Sequence, residues 1–374
     1  MIRKIRIDNF KSLVNFELNL VKFNCLIGLN GAGKSTVLQA LDFLSHLMIG
    51  DVEGWLKLRQ WESSDLNSKL TKKMNIVYEV TFDVEGKEVV WNGSFNRSFL
   101  RCTKESIVED GAKILAVEDA EYMFNAKSHD INFDYQGSIL SRLKENQQGN
   151  TLRAVKETMM NIRSLDLISP ELLRSRTRSS DGKLGLGGEN MAAFIHESGI
   201  SVISELKNKL SKVYPQIEDV KTKSLRSGWK QLEVTESYDS AKFTSTARHV
   251  NDGMLRLMAI LMQLDIGRAF LLFDEIENGI NPELVEYLID HLVNTKDQIL
   301  VTTHSPLILN FLEDKVAEEG VVYLYKNMKG YTQAIRFFDI PSLRKKLEFM
   351  GPGEVFVDTN LPELAGEIQR LEQV

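Results

Sequence analysis

Alternation of apolar and polar positions predicts strands in the first hundred residues. Ile5 and Ile7 alternate with charged residues, and the following stretch, FELNLVKFNCLIG, has the pattern of two further strands. Apolar and polar residues alternate again over residues 76–84, and residues 85–87 favour a turn. Residues 89–95 then form the second strand of a predicted hairpin. The pattern predicts an N-terminal antiparallel β layer with one face buried.

Two later segments have the length and composition of buried strands. They are AFLLF, from Ala269 to Phe273, and QILVTT, from Gln298 to Thr303. Together with the apolar run Phe23 to Ile27, they predict the core of a mixed central sheet in an α/β fold.

Four segments have the apolar spacing of helices. They are Lys34 to His46, Ser138 to Ile168, Val202 to Tyr214 and Met254 to Leu264. The two middle segments lack the sustained heptads of a long coiled coil. Arg174 to Asn190, RSRTRSSDGKLGLGGEN, is rich in Gly, Ser and Arg, which favours a loop or hinge. We predict an N-terminal lobe over residues 1–135, a helical insertion over 136–214 and a C-terminal lobe over 215–374.

Length and composition fit one large or two ordinary domains with a sizeable core. The chain has 374 residues, 43% hydrophobic and 26% charged. Its net charge of −6 argues against a protein that coats nucleic acid over its whole surface, and leaves local basic patches open. Apolar stretches are too short to cross a bilayer, and the N-terminus lacks a signal-peptide core, so we expect a cytoplasmic protein with no membrane partner. Cys25 and Cys102 cannot build a disulfide framework.

Residues Gly28 to Ser35, GLNGAGKS, have the pattern of a phosphate-binding P-loop between a strand and a helix. Backbone N–H groups of such a turn point at one site, where the helix dipole adds positive charge. Gly33 allows close backbone approach, Lys34 can reach the β- and γ-phosphates, and the Ser35 hydroxyl can ligand Mg²⁺. The predicted nucleotide-binding residues of this segment are Asn30, Gly31, Ala32, Gly33, Lys34, Ser35 and Thr36. A plain strand-to-helix turn with a surface lysine would match this pattern only by rare coincidence.

Asp274 and Glu275 directly follow the predicted strand Ala269 to Phe273 and have the pattern of a Walker B element. A carboxylate at a strand end beside the P-loop would hold Mg²⁺ through its water shell, while its neighbour polarises the attacking water. We assign Asp274 to the metal and Glu275 to the general base. An isolated Asp-Glu pair would more often be a solvated strand end. In a chain that also has a P-loop, the functional interpretation is favoured.

His304 follows the predicted strand QILVTT, at the edge of the sheet where ligands of open α/β folds bind. A neutral imidazole can donate one N–H to a γ-phosphate and so sense its presence. The other five histidines lack this strand-end placement. A structural histidine is the alternative.

Asn251, Asp252 and Gly253 form a turn and helix-cap sequence before the apolar stripe that starts at Met254. Taken alone, the segment is most simply a well-capped core helix. A cap with free N–H groups is also an anion site. Because one subunit has no use for two γ-phosphate sites far apart in sequence, we expect this cap to close on the nucleotide held by a second copy.

The order of these motifs resembles that of ABC-type ATPase heads, in the branch that contains the RecF, SMC and OLD proteins. The resemblance covers residues 1–36 and 248–309. NFKSL, with Lys11, resembles the opening strand motif; DGMLRL resembles the signature helix, DEIENGINP the Walker B and D-loop, and TTHSP the His switch. GENMAAFIHE, residues 188–197, is similar to a segment frequent in the OLD-like subgroup.

The resemblance implies an ATPase with ATP and Mg²⁺ as ligands. It also implies a homodimer of heads, or a higher oligomer, in which the signature of one subunit touches the γ-phosphate bound to the other. Lys34, Glu275 and His304 would be catalytic, and Lys11 would lie near the nucleotide.

The chain departs from the family pattern in three places. Asn251 replaces the usual signature serine, which leaves the rate of hydrolysis open. Gln60 is a candidate for the loop that couples the nucleotide to the second lobe, on spacing alone. No paired DxD carboxylates follow Phe311, so we expect no Toprim-type nuclease activity in this chain.

Three functions are compatible with these motifs. The first, which the OLD-like resemblance implies and which we favour, is an ATPase whose dimerisation controls a separate effector, a nuclease or toxin encoded nearby, in anti-phage defence. The second is a RecF-like repair ATPase that clamps DNA through basic segments at Lys69 to Lys73, Arg174 to Lys183 or Arg344 to Lys346. The third is a nucleotide-gated scaffold with slow turnover.

Overall fold

Three β-sheets and the helices packed against them form the part of the chain that the computed structural model describes, residues 1–118, 121–124, 127–144, 149–167, 169–264 and 269–371. The strands are β1 (Ile2–Asp8), β2 (Phe16–Asn19), β3 (Phe23–Ile27), β4 (Asn75–Val84), β5 (Lys87–Asn96), β6 (Arg101–Glu109), β7 (Ala112–Glu118), β8 (Glu121–Phe124), β9 (Lys127–Asp130), β10 (Ile162–Leu165), β11 (Ile217–Ser224), β12 (Lys230–Tyr238), β13 (Ala241–Thr246), β14 (Phe270–Phe273), β15 (Gln298–Thr302), β16 (Val321–Lys326) and β17 (Thr332–Arg336). The helices are α1 (Lys34–Ile49), α2 (Val52–Leu58), α3 (Asn150–Met160), α4 (Pro170–Leu173), α5 (Met191–Glu197), α6 (Ile200–Ser211), α7 (Asp252–Gln263), α8 (Val285–Asn294), α9 (Pro306–Asn310), α10 (Asp314–Gly320), α11 (Pro341–Leu347), α12 (Pro352–Val357) and α13 (Leu361–Leu371).

The largest sheet has the order β2-β1-β4-β5-β6-β7-β8-β9, and its neighbouring strands are antiparallel. Its longest strands, β4 and β5, form the predicted hairpin. Glu85 and Gly86 join them, both with positive φ, as a two-residue turn between twisted strands requires. Tyr78 and Trp91 are fully buried on its inner face. The predicted N-terminal β layer is therefore confirmed, and β6 to β9 extend it.

The central sheet has the order β10-β14-β15-β3-β16-β17, with only β17 antiparallel to its neighbour. The three apolar runs predicted as strands are β3, β14 and β15, which lie side by side in it. All of their residues are buried, because helices or another sheet cover both faces. The mixed central sheet is confirmed.

This sheet separates two apolar cores. Leu26, Leu272 and Leu300 belong to the core shared with α1 and the large sheet. Cys25 and Ile27 belong to the core shared with α7 and α8. Because successive strand residues point to opposite faces, both cores hold the same strand ends in place.

The segment Ser138 to Ile168 is helical only in part, contrary to its predicted period. α3 lies within it, but Ile162 begins β10, which pairs in parallel with β14. Ile162 and Leu165 are the buried residues of this strand, and their spacing of three also suits a helix. Residues 145–148 and 168 lie outside the described residues.

Between α6 and α7 lies a third sheet, β11-β12-β13, in a segment where we predicted no strand. The helix predicted over Val202 to Tyr214 is confirmed as α6, and residues 174–190 contain neither helix nor strand, as expected of a loop.

The division into two lobes and an insertion stays a prediction. No described helix is long and apolar enough to cross a membrane.

Candidate nucleotide-binding site

The ends of three adjacent parallel strands bring the predicted motifs together. The P-loop follows β3, Asp274 follows β14, and His304 comes two residues after β15. The register aligns Phe273 with Val301 and Val301 with Cys25. Because these strands are parallel, their carboxyl ends lie at one edge of the sheet, where open α/β folds bind ligands.

The P-loop backbone has positive φ at Gly28 (147°), Gly31 (76°) and Gly33 (110°). A Cβ at Gly28 would lie 2.4 Å from the carbonyl oxygen of Leu324, and one at Gly33 would lie 2.4 Å from Thr332 Oγ1. Of the remaining predicted residues, Asn30, Gly31 and Ser35 are exposed, Thr36 is half-buried and Ala32 is buried. The loop thus presents its outer part to solvent while its ends are packed.

Lys34 is folded back along this loop. Its side chain is largely buried, and Nζ donates to the carbonyl oxygens of Gly28 and Leu29 at 2.9 and 3.3 Å. Burial lowers the pKa of Lys34, and the carboxylates of Asp274 and Glu275 partly oppose this. The cation therefore stays inside the loop, close to the acidic strand end.

Thr302 joins Asp274 and Glu275. Its hydroxyl donates to Asp274 Oδ1 at 2.5 Å and accepts the backbone N–H of Glu275 at 2.8 Å. Glu275 has a positive φ of 47°, which is unusual for a residue with a side chain. Arg256 Nη2 donates to the carbonyl oxygen of Glu275 at 2.6 Å. The backbone of Glu275 is thus bound on both sides.

His304 is exposed, and its backbone N–H donates to Glu277 Oε1 at 2.8 Å. The other carboxylate oxygen, Oε2, is buried and has no hydrogen-bond partner among the described residues. Glu277 therefore links the turn after β14 to the turn after β15. The sequence prediction included it only as part of the DEIENGINP turn; its position two residues after Glu275 was the available signal.

The cap of α7 is exposed at Asn251 and Asp252. Asn251 Oδ1 accepts the backbone N–H of Met254 at 2.8 Å, and Asp252 forms an ion pair with Arg174. Gly253 is buried and packs closely against Gly279, since a Cβ at Gly253 would lie 2.7 Å from the carbonyl oxygen of Gly279. Within the described ranges, no hydrogen bond or ion pair joins residues 251–253 to the P-loop.

Lys11 lies over α1. Its Nζ is 3.2 Å from the centroid of the Trp61 ring and donates to Gln39 Oε1 at 3.0 Å. Burial, followed by the charge of Arg59, lowers the pKa of Lys11 to about 8. Gln60, the candidate coupling residue, is exposed, and its role stays a prediction.

Thr332 ties the Lys11 segment to the P-loop. Its hydroxyl lies 2.8 Å from Ser12 Oγ and donates to the carbonyl oxygen of Ala32 at 2.9 Å. Ser12, the residue next to Lys11, is therefore linked through Thr332 to the loop that we expect to hold the nucleotide.

The metal ligands and the positive charges at this edge of the sheet fit a magnesium polyphosphate. Ser35 and Asp274 offer hydroxyl and carboxylate oxygens, which Mg²⁺ prefers, and Mg²⁺ sites of this kind are completed by substrate phosphates. A buried lysine and the N-terminus of a sixteen-residue helix supply the positive charge.

The chain has the α/β P-loop fold of ABC-type ATPase heads. The chain belongs to the AAA ATPase domain family, whose model matches residues 1–309. The head of an SMC protein, solved bound to the C-winged helix domain of ScpA, superposes with a TM-score of 0.56 at 16% identity, over 89% of this chain and 96% of that one. The predicted fold class and the resemblance to this branch of ATPase heads are confirmed.

Two further relatives have weaker or more local similarity. A RecF structure superposes with a TM-score of 0.42 at 13% identity, over 90% of this chain and 98% of that one. The OLD nuclease of Thermus scotoductus is 33% identical over 105 residues, which are 28% of this chain and 18% of the relative. The match therefore spans less than a fifth of that nuclease.

Proposed function

We propose that this chain hydrolyses ATP and that ATP-dependent pairing of two copies controls a partner effector. The observation that carries the proposal is the convergence of the P-loop, Asp274 and His304 on the carboxyl edge of three adjacent strands. Such an edge combines a phosphate cradle, acidic oxygens and a histidine whose N–H can donate to a phosphate.

Within this proposal, each residue has a defined role. Lys34 exchanges its two carbonyl partners for phosphate oxygens, which are stronger acceptors. Ser35 and Asp274 hold Mg²⁺, which neutralises developing charge on the phosphates when bound. Glu275 accepts a proton from the attacking water, and His304 donates to the γ-phosphate.

The second copy supplies the cap of α7. In one chain the cap residues Asn251 and Asp252 face solvent, and so does the outer part of the P-loop at Asn30 and Ser35. A two-fold pair would place each cap on the other subunit's loop and complete two equal sites, because such an interface repeats every contact.

The controlled effector, in this proposal, is a nuclease or a toxin of an anti-phage system, present as a separate protein. The local similarity to an OLD nuclease supports the link to nucleolytic systems. The identity of the effector can be tested directly. The full chain carrying Glu275→Gln is purified in the presence of ATP, and the protein bound to it is identified.

Phosphate release decides whether the chain is an enzyme. The wild-type chain should release phosphate well above Glu275→Gln, on the order of a hundredfold or more for loss of a general base. Glu283→Gln is the matched control, because Glu283 is an exposed glutamate a few residues further along. Equal rates of phosphate release by the wild type and Glu275→Gln would contradict the proposal that the chain is an ATPase. They would favour the slow-turnover scaffold.

A basic cluster supports nucleic-acid binding as a second candidate function. Arg178 lies over the Trp229 ring at 5.3 Å, and Trp229 is 40% exposed. Arg176, Lys223 and Arg226 are exposed nearby in sequence, and no ion pair between described residues involves them. Cations beside an exposed aromatic ring suit phosphates and a stacked base.

Titration of a labelled oligonucleotide tests this candidate. Binding should weaken with salt, and the combined change Arg176→Ala and Arg178→Ala should reduce the salt slope by about 2. The control is Lys87→Ala, since Lys87 is paired with Glu109 and lies outside the basic segments named above. Binding that is independent of salt, or equally affected by both changes, would remove the candidate.

A further inference from the structure

A cavity of about 640 Å³ lies at the end of α1 opposite the P-loop, where Gly50 caps the helix. Because α1 has sixteen residues, this end is roughly 24 Å from Lys34. Four large side chains and two carboxylates line the cavity: Phe99, Arg101, Tyr135, Arg142, Asp51 and Asp134. No residue assigned to the ATP site is among them, so the cavity is separate from that site.

The guanidinium of Arg101 lies against two aromatic rings of the cavity. Its Cζ atom is 5.4 Å from the centroid of the Tyr135 ring and 5.8 Å from that of the Phe99 ring. Tyr135 is fixed in turn, because its hydroxyl donates to the carbonyl oxygen of Cys102 at 2.9 Å. Arg101 is therefore oriented by contacts with ring faces, which do not use its N–H groups.

Buried hydrogen bonds anchor the backbone around these side chains. Gly137 donates its N–H to the carbonyl oxygen of Leu100, and its own carbonyl oxygen accepts the N–H of Cys102, both at 2.8 Å. Glu105, which is 3% exposed, accepts the Ser138 hydroxyl at 2.5 Å. These contacts tie the start of β6 to the segment that carries the other ring. The cavity wall is thus formed before any ligand binds, as in most small-molecule sites.

Two arginines and two aspartates line the cavity without pairing. Arg101 is half-buried and Arg142 is exposed, and neither side chain forms a hydrogen bond or an ion pair with any residue that the structure describes. Asp51 and Asp134 are both exposed, and they form no ion pair with a described residue either. The cavity therefore offers charged donors and charged acceptors at once, which suits a ligand that has groups of both kinds.

Phe99 adds an apolar surface to these charges. Its side chain is 64% exposed, whereas the aromatic residues that precede it in the chain, Trp91 and Phe95, are fully buried. An exposed ring beside arginines suits a flat group that stacks on it, and a nucleobase is such a group.

We propose that this cavity binds the monophosphate unit of a nucleotide. Arg101 and Arg142 bind the phosphate oxygens, because the guanidinium fork matches phosphate geometry. Phe99 stacks on the base, and Asp134 accepts a hydroxyl of the sugar or an amine of the base. An inorganic anion would leave the ring and the carboxylate unused. This second ligand is independent of the proposed hydrolysis of ATP.

Calorimetric titration of the full chain carrying Lys34→Ala tests the site, because that change removes the cation of the P-loop. The probes are AMP, GMP, CMP and UMP, and at least one should bind. Adding Arg101→Met or Arg142→Met should lower its affinity on the order of tenfold to a hundredfold, as for loss of hydrogen bonds to a charged group. Adding Phe99→Ala should lower it on the order of tenfold, through loss of stacking.

Arg97→Met is the matched control. Arg97 lies in the same turn between β5 and β6 but does not line the cavity, so this change should leave the affinity as it was. Failure of all four nucleotides to bind, unchanged affinity in Arg142→Met, or an equal loss in Arg97→Met would overturn the site. If Arg101→Met does not fold, the exposed Arg142 decides.

Two further probes define the ligand more closely. Inorganic phosphate should bind much more weakly than the best nucleotide, and equal affinities would overturn the assignment to a nucleotide. A 5′-phosphorylated oligoribonucleotide that binds more tightly than the mononucleotide, and is weakened by Arg142→Met, supports the site with a nucleic-acid end as its ligand. Tighter binding of the mononucleotide supports the site with a free nucleotide as its ligand. Because these titrations use a chain without Lys34, their outcome does not depend on whether the wild type hydrolyses ATP.

Discussion

Glycines of the P-loop serve two different physical purposes. Gly31 and Gly33 both have positive φ, which a side chain disfavours. A Cβ at Gly31 would meet no atom within 4 Å, whereas one at Gly33 would collide with Thr332 Oγ1. Thr332 is not free to withdraw, because its hydroxyl is bonded to Ala32 and Ser12. Gly31 thus provides backbone freedom alone, and Gly33 provides space as well.

Alanine at each position should separate these two costs. Gly31→Ala should lower the free energy of unfolding by about 1 kcal/mol, from backbone strain. Gly33→Ala should cost about 1 to 3 kcal/mol more, because it also overpacks the contact with Thr332. Urea unfolding without nucleotide measures both, and equal losses would show that the Thr332 contact carries no energy.

Lys11 should make nucleotide affinity depend on pH. Its pKa of about 8 in the free protein is below the usual lysine value, so it loses its charge as pH rises through about 8. A polyphosphate prefers the protonated form, and affinity should therefore fall between about pH 7 and pH 9. Lys11→Arg should bind without this dependence, since arginine stays charged.

Calorimetric titration of both proteins with a slowly hydrolysed ATP analogue gives the comparison. An affinity of the wild type that does not change over this pH range would mean that Lys11 does not contact the nucleotide.

Single residues could be predicted from sequence where a motif sits at a strand end. Lys34 and Asp274 were found because the ends of parallel strands meet at one edge. Thr302, Glu277 and Arg256 were not, because each acts through a backbone group of another segment. Such contacts depend on strand register and helix placement, which a local pattern does not contain.

At the scale of elements, α7 combines a solvent-exposed start with a fully buried body. Asn251 closes the start by accepting the N–H of Met254, and the buried body packs in the core shared with β3 and α8. A cap whose side chain is already used for its own helix can still offer the remaining free N–H groups to an anion.

Asn251→Ala should cost about 1 kcal/mol of the free energy of unfolding, because the N–H of Met254 loses its acceptor. Asn251→Ser keeps an acceptor at the cap and should cost only a few tenths of a kcal/mol. Thermal and urea unfolding of both variants measures the difference. A loss as large in Asn251→Ser as in Asn251→Ala would show that the cap contact does not stabilise α7.

Elements were predictable where burial on both faces produced a continuous apolar run, as in β3, β14 and β15. β10 was not, because its four residues, IRSL, gain their strand conformation from pairing with β14. β12 has only Leu232 and Val234 as large buried apolar residues, and β13 has none, so the third sheet has too weak an alternation to be recognised.

At the scale of the whole molecule, the proposed function requires two exposed parts of one chain, the P-loop edge and the cap of α7, to be the two halves of one site. The P-loop edge has the phosphate cradle and the acidic groups, and the cap of α7 has free donors with no link to that loop in the described residues. The central claim is that ATP joins these halves from two copies. Arg174, paired with Asp252, reduces the negative charge that the cap would otherwise bring to the phosphate.

The mass of Glu275→Gln in solution tests this claim most directly. With Mg²⁺ and ATP at micromolar protein concentration, the variant should have at least twice the 42.5 kDa mass of one chain, since hydrolysis no longer reopens the pair. Without ATP, or with Lys34→Ala added, it should remain a monomer, because the cradle is empty or cannot hold the phosphates. A variant that binds ATP and still has the mass of one chain would contradict the account.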